Sequence, residues 1–438
     1  MLPMRVIGTC LCLWSAASAH GANDYLDQDL RSRVTQLKAD VAAAPTSPSN
    51  AQARADVLWA WVNAYAQRGG YVPVNLTAAI RPGTVTGAMA AAATDAYVRE
   101  LGMLDDDPAA LGELRADAGP FEANVPATFQ QVYRVGTRGV QRGGGIIVAR
   151  HFMADQGEFQ TTDAAGDGYV TIQSTNASVR FAADSVPVTG MHGGFRGAAD
   201  ALRFRIAEGE LVKDDTLTIT YGDRSGGGGG LRMPTFSSDR MPFPLYVMLE
   251  AGGDQLSLPI QPVQVVGTRV AGVHGFAPSV VRPGETFELS VRAEDAFYNR
   301  ATGPLPGWHV FANGERLRDI PAGGDAIIVL SDLRFDTPGV QRISIRSVDG
   351  SILGVANPIL VSADAPRVFW GDTHGHSGFA EGIGTPERFM TWARDDARLD
   401  FVTHSEHDIW MDDSEWQVLK DNVAAYSEER PVRCLPRL

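Results

Sequence analysis

Apolar side chains fall on every second position in two segments of residues 201–221. Leu202, Phe204 and Ile206 alternate with Arg203 and Arg205, and Leu217, Ile219 and Tyr221 alternate with three threonines. A period of two puts one set on each face of a pleated strand, so each segment must bury one face and wet the other. That is the signature of a half-buried antiparallel sheet, and it sets the middle of the chain as β-structure.

The alternating pattern begins near Thr128, with Gly143-Gly144-Gly145 and Gly226 to Gly230 reading as loops inside it. A second β-region runs from about Val270 to Ala363. There Pro283-Gly284 turns into a strand that faces Phe287, Leu289, Val291 and Ala293 inward, and Asn313-Gly314 and Asp349-Gly350 are hairpin signals. Short strands with turns at this spacing predict a sandwich of about a hundred residues. Pattern alone leaves open whether the two regions are separate sandwiches or one unit.

Ahead of the β-regions, helical spacing predicts helices over Asp24 to Ala43 and Ala51 to Gln67. The stretch from there to about Pro126 reads as loops and short helices. The first residues have the layout of an export signal: Arg5, an apolar run from Val6 to Trp14, and the small residues Ala17-Ser18-Ala19 at a cleavage point. No other apolar run is long enough to span a bilayer. Periplasmic or secreted location is therefore expected, with cleavage near Ala19. Cys10 and Cys12 fall in the signal, which leaves Cys434 alone and no internal disulfide. A net charge of −14 argues against nucleic acid or anionic lipid as partner.

Past Ala363-Asp364-Ala365-Pro366 the pattern changes again. Val368 to Gly371 predicts a strand, and Thr385 caps a helix with Pro386 at its first position. Leu399 to Thr403 predicts a second strand. Asp412 and Glu415 have capping-box spacing for a further helix, whose Trp416, Leu419, Val423 and Tyr426 share a face. Strand, helix, strand, helix is the opening of an α/β barrel or doubly wound sheet.

Four of the nine histidines lie in this last segment: His374, His376, His404 and His407. On extended backbone the side chains of His374 and His376 point the same way, so both can reach one metal ion. His407 follows the neighbouring strand and can converge on the same point. Asp372, Glu381, Glu406 and Asp408 offer oxygen ligands, or acceptors that fix the imidazole tautomers. Histidine and carboxylate without thiolate suit Zn, Mn or Fe. Two weaker signals need no ligand: Gly226 to Gly230 lacks the ending of a phosphate loop, and Asp163 and Asp167 read as an ordinary turn.

Gly371-Asp372-Thr373-His374-Gly375-His376-Ser377, Phe379-Ala380-Glu381-Gly382 and Leu399 to Asp408 resemble the first two motifs of the PHP (polymerase and histidinol phosphatase) superfamily. The resemblance is closest to its exported DUF3604 branch, which Gly222-Asp223-Arg224 and Ala293 to Asn299 also resemble. It implies a distorted (β/α)7 barrel with a two- or three-metal cluster that hydrolyses phosphoesters. Carried over by position, His374, His376, Glu381 and His407 are the expected ligands. His404 has no clear counterpart in the family; with Asp372, Glu406 and Asp408 it is a candidate to stand behind the ligands. Glu381 falls where the family has Asp, and Ser405-Glu406-His407 replaces its Thr-Asp-His; each acidic departure adds one methylene.

The organisation expected is a signal over 1–19, a helical region over 20–127, a β-rich domain over 128–269, a β-sandwich over 270–364 and the start of a PHP-like domain over 365–438. About seventy residues form only two βα units of a barrel that takes on the order of 200, and the last ten do not read as a strand. The chain is thus expected to be a C-terminally truncated metallohydrolase with an incomplete site and little activity alone, taking a small phosphoester as substrate. The alternative is a non-catalytic envelope or extracellular β-sandwich binding protein with a vestigial metal site. Substrate and oligomeric state are not legible.

Overall fold

A computed structural model describes residues 103, 107, 109–151, 154–189, 198–253, 255–258, 261, 263–377, 382–406, 413–428 and 433–436. The expected export signal, both N-terminal helices, Glu381, His407 and Asp408 lie outside them. Among the described residues, short strands gathered in several small sheets are the commonest element.

The first β-part packs two sheets face to face. One runs Gly112–Ala116, Phe129–Val135, Thr216–Tyr221, Val170–Ser174; the other runs Leu256–Ser257, Leu245–Met248, Gly145–Val148, Ala198–Glu208, Arg180–Thr189. The alternation read from the sequence holds: Leu217, Ile219 and Tyr221 are fully buried, as are Phe204 and Ile206 across the sandwich. Phe129 stacks on Tyr221 at 4.7 Å and meets Phe243 edge-on at 4.7 Å. The Tyr221 hydroxyl donates to Gln131 Oε1 (2.6 Å), and Gln131 Nε2 donates to the Phe243 carbonyl (2.8 Å). The buried polar atoms of this pair are thereby satisfied, as burial requires. On the opposite face Arg203 makes a two-pronged ion pair with Asp184 on the adjoining strand.

This part starts earlier than the boundary at 128. Gly112–Ala116 is a strand paired with Phe129–Val135, and Phe121–Glu122 pairs in parallel with Val263–Val266. The sequence Gly112-Glu113-Leu114-Arg115-Ala116 has little strand preference of its own. Its partner supplies the ladder.

The second β-part has a separate core. Phe287, Leu289, Val291 and Ala293 are all buried, together with Trp308, Val310, Ile345 and Val361. The question the pattern left open is answered by two distinct clusters of buried side chains. Asn313 and Gly314 both take positive φ (51° and 92°) in a two-residue turn joining Trp308–Ala312 to Glu315–Ile320. That is the turn the dipeptide specifies.

The last part is a parallel sheet in the order Gly371–Gly375, Phe401–His404, Arg433–Pro436. Helix α1 (Pro386–Thr391), followed by a π-helical turn over Trp392–Asp396, connects the first two strands, and α2 (Asp413–Glu428) leads to the third. Thr385 Oγ1 accepts the Arg388 N–H at 3.2 Å, the cap its sequence announces. Met390, Ala393, Val402 and Val423 form a small core here. Two expectations are corrected. The first strand begins at Gly371 rather than Val368, and Arg433–Pro436 is a strand although it ends on a proline, which is tolerated at strand ends. Two strands and their helices thus match the expected α/β opening. Closure into a barrel is not seen among the described residues.

Candidate functional site

The parallel pairing sets Gly371 opposite Phe401 and Gly375 opposite His404. His374 is therefore inside the strand rather than beyond it, and His376 follows the strand end by one residue. Both imidazoles turn to the same side. Their Nε2 atoms lie 2.9 Å apart, with ring centroids at 4.9 Å. Metal–nitrogen bonds of about 2.0–2.1 Å at right angles would separate two ligand nitrogens by roughly 2.9 Å, and a tetrahedral ion would separate them by roughly 3.4 Å. The pair thus has the spacing of adjacent ligands on a six-coordinate ion. Without a cation, one neutral imidazole donates to the other over the same distance.

Local contacts hold this geometry. Asp372 Oδ1 accepts the His374 N–H at 2.9 Å, and Ser405 Oγ accepts the Gly375 N–H at 3.1 Å. Gly375 has no room for a side chain, since a Cβ would sit 2.4 Å from the Phe389 ring. That ring stacks on His404 with centroids 4.7 Å apart.

His404 and Glu406 are buried next to the backbone that carries His376. His404 Nε2 lies 2.6 Å from Glu406 Oε1, and the same oxygen accepts the Ser377 N–H at 2.6 Å. Burial alone would push the Glu406 carboxyl up. The hydrogen bond and charge of His404, with the Ser377 donors, outweigh burial and hold it below the usual glutamate range. Ionised Glu406 fixes a proton on His404 Nε2. Its Oε2 and the His404 Nδ1 are buried without a hydrogen-bond partner.

Of the expected residues, the structure brings His374 to His376, and His404 to Glu406. Asp372 serves the His374 backbone. Glu381, His407 and Asp408 lie outside the described residues, and among those described no group of three metal-ligating side chains converges.

Sequence reading missed a cavity of about 230 Å³ where the three parts meet. His376 lines it, as do Arg292 and Arg300 from the second β-part and Arg388, Trp392 and Asp396 from the helical segment. Arg300 Nε and Nη2 grip the Asp396 carboxylate at 2.5 and 2.8 Å, and this pairing raises the pKa of the guanidinium. Arg292 Nη1 donates to the Asp396 carbonyl at 3.0 Å. These residues are scattered over about a hundred positions, so no local motif announces them.

No family model matches the chain. It is 28% identical over 238 residues to an uncharacterized protein of Chlamydia pneumoniae, an alignment covering 50% of this chain and 37% of that protein. An uncharacterized protein of Chlamydia trachomatis is 29% identical over 238 residues, with the same coverage. The chain spans well under half the length of these curated relatives. Among solved structures, the D0–D1 domain of intimin overlays with 11% identity and a TM-score of 0.16, covering 57% of this chain and 97% of that one. A CARDB domain from Pyrococcus furiosus in complex with di-metal ions overlays with 17% identity and a TM-score of 0.17, over 21% of this chain and 86% of that one.

Proposed function

We propose that the chain belongs to an exported, DUF3604/PHP-like metal-dependent hydrolase that cleaves phosphoesters. The observation that supports this most directly is the pair of imidazoles, His374 and His376, meeting at 2.9 Å at the end of a parallel strand. His374 and His376 would hold a Zn, Mn or Fe ion, with Glu381 and His407 as the further ligands. A bound ion of this kind supplies a water of lowered pKa and a Lewis acid for the phosphoryl oxygen. The protein's own part is to aim the imidazoles: Asp372 fixes the His374 backbone, and Glu406 ties the Ser377 backbone to His404. Among the described residues no helix is long and apolar enough to cross a membrane.

Metal content of the purified 438-residue chain tests the reading. After dialysis against Mn²⁺ or Zn²⁺, near-stoichiometric metal is expected in the wild type and at least a tenfold lower content in the variant carrying His374→Ala and His376→Ala. A wild type that retains no metal would refute the proposal.

The bulk of the described structure favours a second reading. Two β-parts with their own cores account for most of it, as a non-catalytic β-sandwich binding protein of the cell envelope would have. Ligand or partner binding that survives deletion from Pro366 onward would select this reading.

A further inference from the structure

Among the described residues, the charges that line the cavity at the junction are unbalanced: Arg292, Arg300 and Arg388 stand against one carboxylate, that of Asp396. Arg300 spends both prongs on that carboxylate, and Arg292 is occupied with the carbonyls of Asp396 and Tyr298 and with Glu294 at 3.4 Å. Arg388 has no ion pair among the described residues, and its side chain is only partly exposed. A half-buried guanidinium with no ion pair among the described residues, at the wall of a cavity, has the chemistry of an anion receptor: its fork matches a carboxylate or phosphate, and it is more weakly hydrated than an ammonium.

The remaining walls define what the anion is attached to. Phe236, Tyr298, Phe389 and Trp392 give the cavity an aromatic surface. Tyr298 is held at φ 65°, a conformation uncommon for a bulky residue, by a turn whose carbonyl binds Arg292. The volume of about 230 Å³ leaves room for a small ring carrying one acidic group. His376 shares the wall, so a molecule held here lies against one imidazole of the pair.

We propose that this cavity binds a small organic oxyanion through Arg388, with its apolar body against the aromatic walls, and that it is the substrate subsite of the histidine centre. The subsite role rests on the hydrolase reading above. Anion binding itself does not.

Calorimetry on the full chain, dialysed free of metal and at constant ionic strength, tests it with phenyl phosphate, benzoate and inorganic phosphate. Saturable binding of phenyl phosphate or benzoate is expected, with inorganic phosphate at least tenfold weaker than the better of the two. Preference for phenyl phosphate identifies a phosphate head and preference for benzoate a carboxylate, and either supports the cavity. Arg388→Gln should weaken binding at least tenfold while melting as the wild type does. Should that variant fail to fold, Arg388→Lys, which keeps the charge and loses the fork, should weaken it at least threefold. Intact anion binding in a wild type that takes up no metal would remove the hydrolase reading and keep the receptor. Absence of saturation with all three probes, or unchanged affinity in the Arg388 variant that folds, overturns the proposal.

Discussion

Glu406 shows how one side chain can be both structural and titratable. It is nearly inaccessible, ionised, and shared between an imidazole and a backbone N–H. Its folded pKa is depressed below the ordinary 4.5, despite burial, by His404 and Ser377. A depressed carboxyl contributes stability that is present above the unfolded pKa and is lost as pH falls through the folded one. Unfolding free energy measured by denaturant titration between pH 3 and 6 should therefore fall toward acid. The slope below about pH 4.5 should be shallower in Glu406→Gln. Equal slopes for the two proteins would show that Glu406 does not carry this dependence. The residue was legible as an acidic neighbour of a histidine. That its partner is His404 rather than the His374–His376 pair was not, because the choice depends on how the two parallel strands align.

Among the elements, the π-helical turn over Trp392–Asp396 is the one most firmly tied to its surroundings. Asp396 is buried, and Arg300 reaches it from the second β-part with two hydrogen bonds. Breaking a buried pair costs about 3–5 kcal/mol, but about a third of the Arg300 side chain remains in water, so on the order of 2 kcal/mol is expected here. A double-mutant cycle of Arg300→Met and Asp396→Asn, followed by chemical denaturation, should return a coupling of that size. Additive single effects would mean the pair is only a surface contact. Elements specified locally were readable: the Asn313-Gly314 hairpin, the Thr385-Pro386 helix start and the buried face of Thr286–Glu294. Those specified by a distant partner were not. Gly112–Ala116 and Arg433–Pro436 have weak strand sequences and exist through their ladders with Phe129–Val135 and Phe401–His404.

At the scale of the molecule, one asparagine links the two β-cores. Asn299 Oδ1 accepts the Ser237 N–H at 2.7 Å, and its Nδ2 donates to the Thr235 carbonyl at 2.8 Å and to Asp295 at 3.0 Å. Asp295 in turn accepts the N–H groups of Phe297, Asn299 and Thr268. The segment Ala293 to Asn299, which the sequence offered only as a family resemblance, is thus a clip between two parts. Removing its side chain leaves a buried N–H and carbonyl without partners, a loss of about 1–3 kcal/mol. Scanning calorimetry of Asn299→Ala should show the transitions of the two β-parts moving apart relative to the wild type. An unchanged thermogram would place their coupling elsewhere.

The missing side chain at Gly375 carries a consequence for any attempt to rebuild this region. The aim of the two flanking imidazoles is decided from behind, by an aromatic ring of α1 that fills the space a methyl would need. Redesigning the donor atoms while enlarging the spacer would tilt Phe389 off His404 and spoil the bearing of groups left untouched. The backbone there behaves as a gunsight whose rear notch lies on another element.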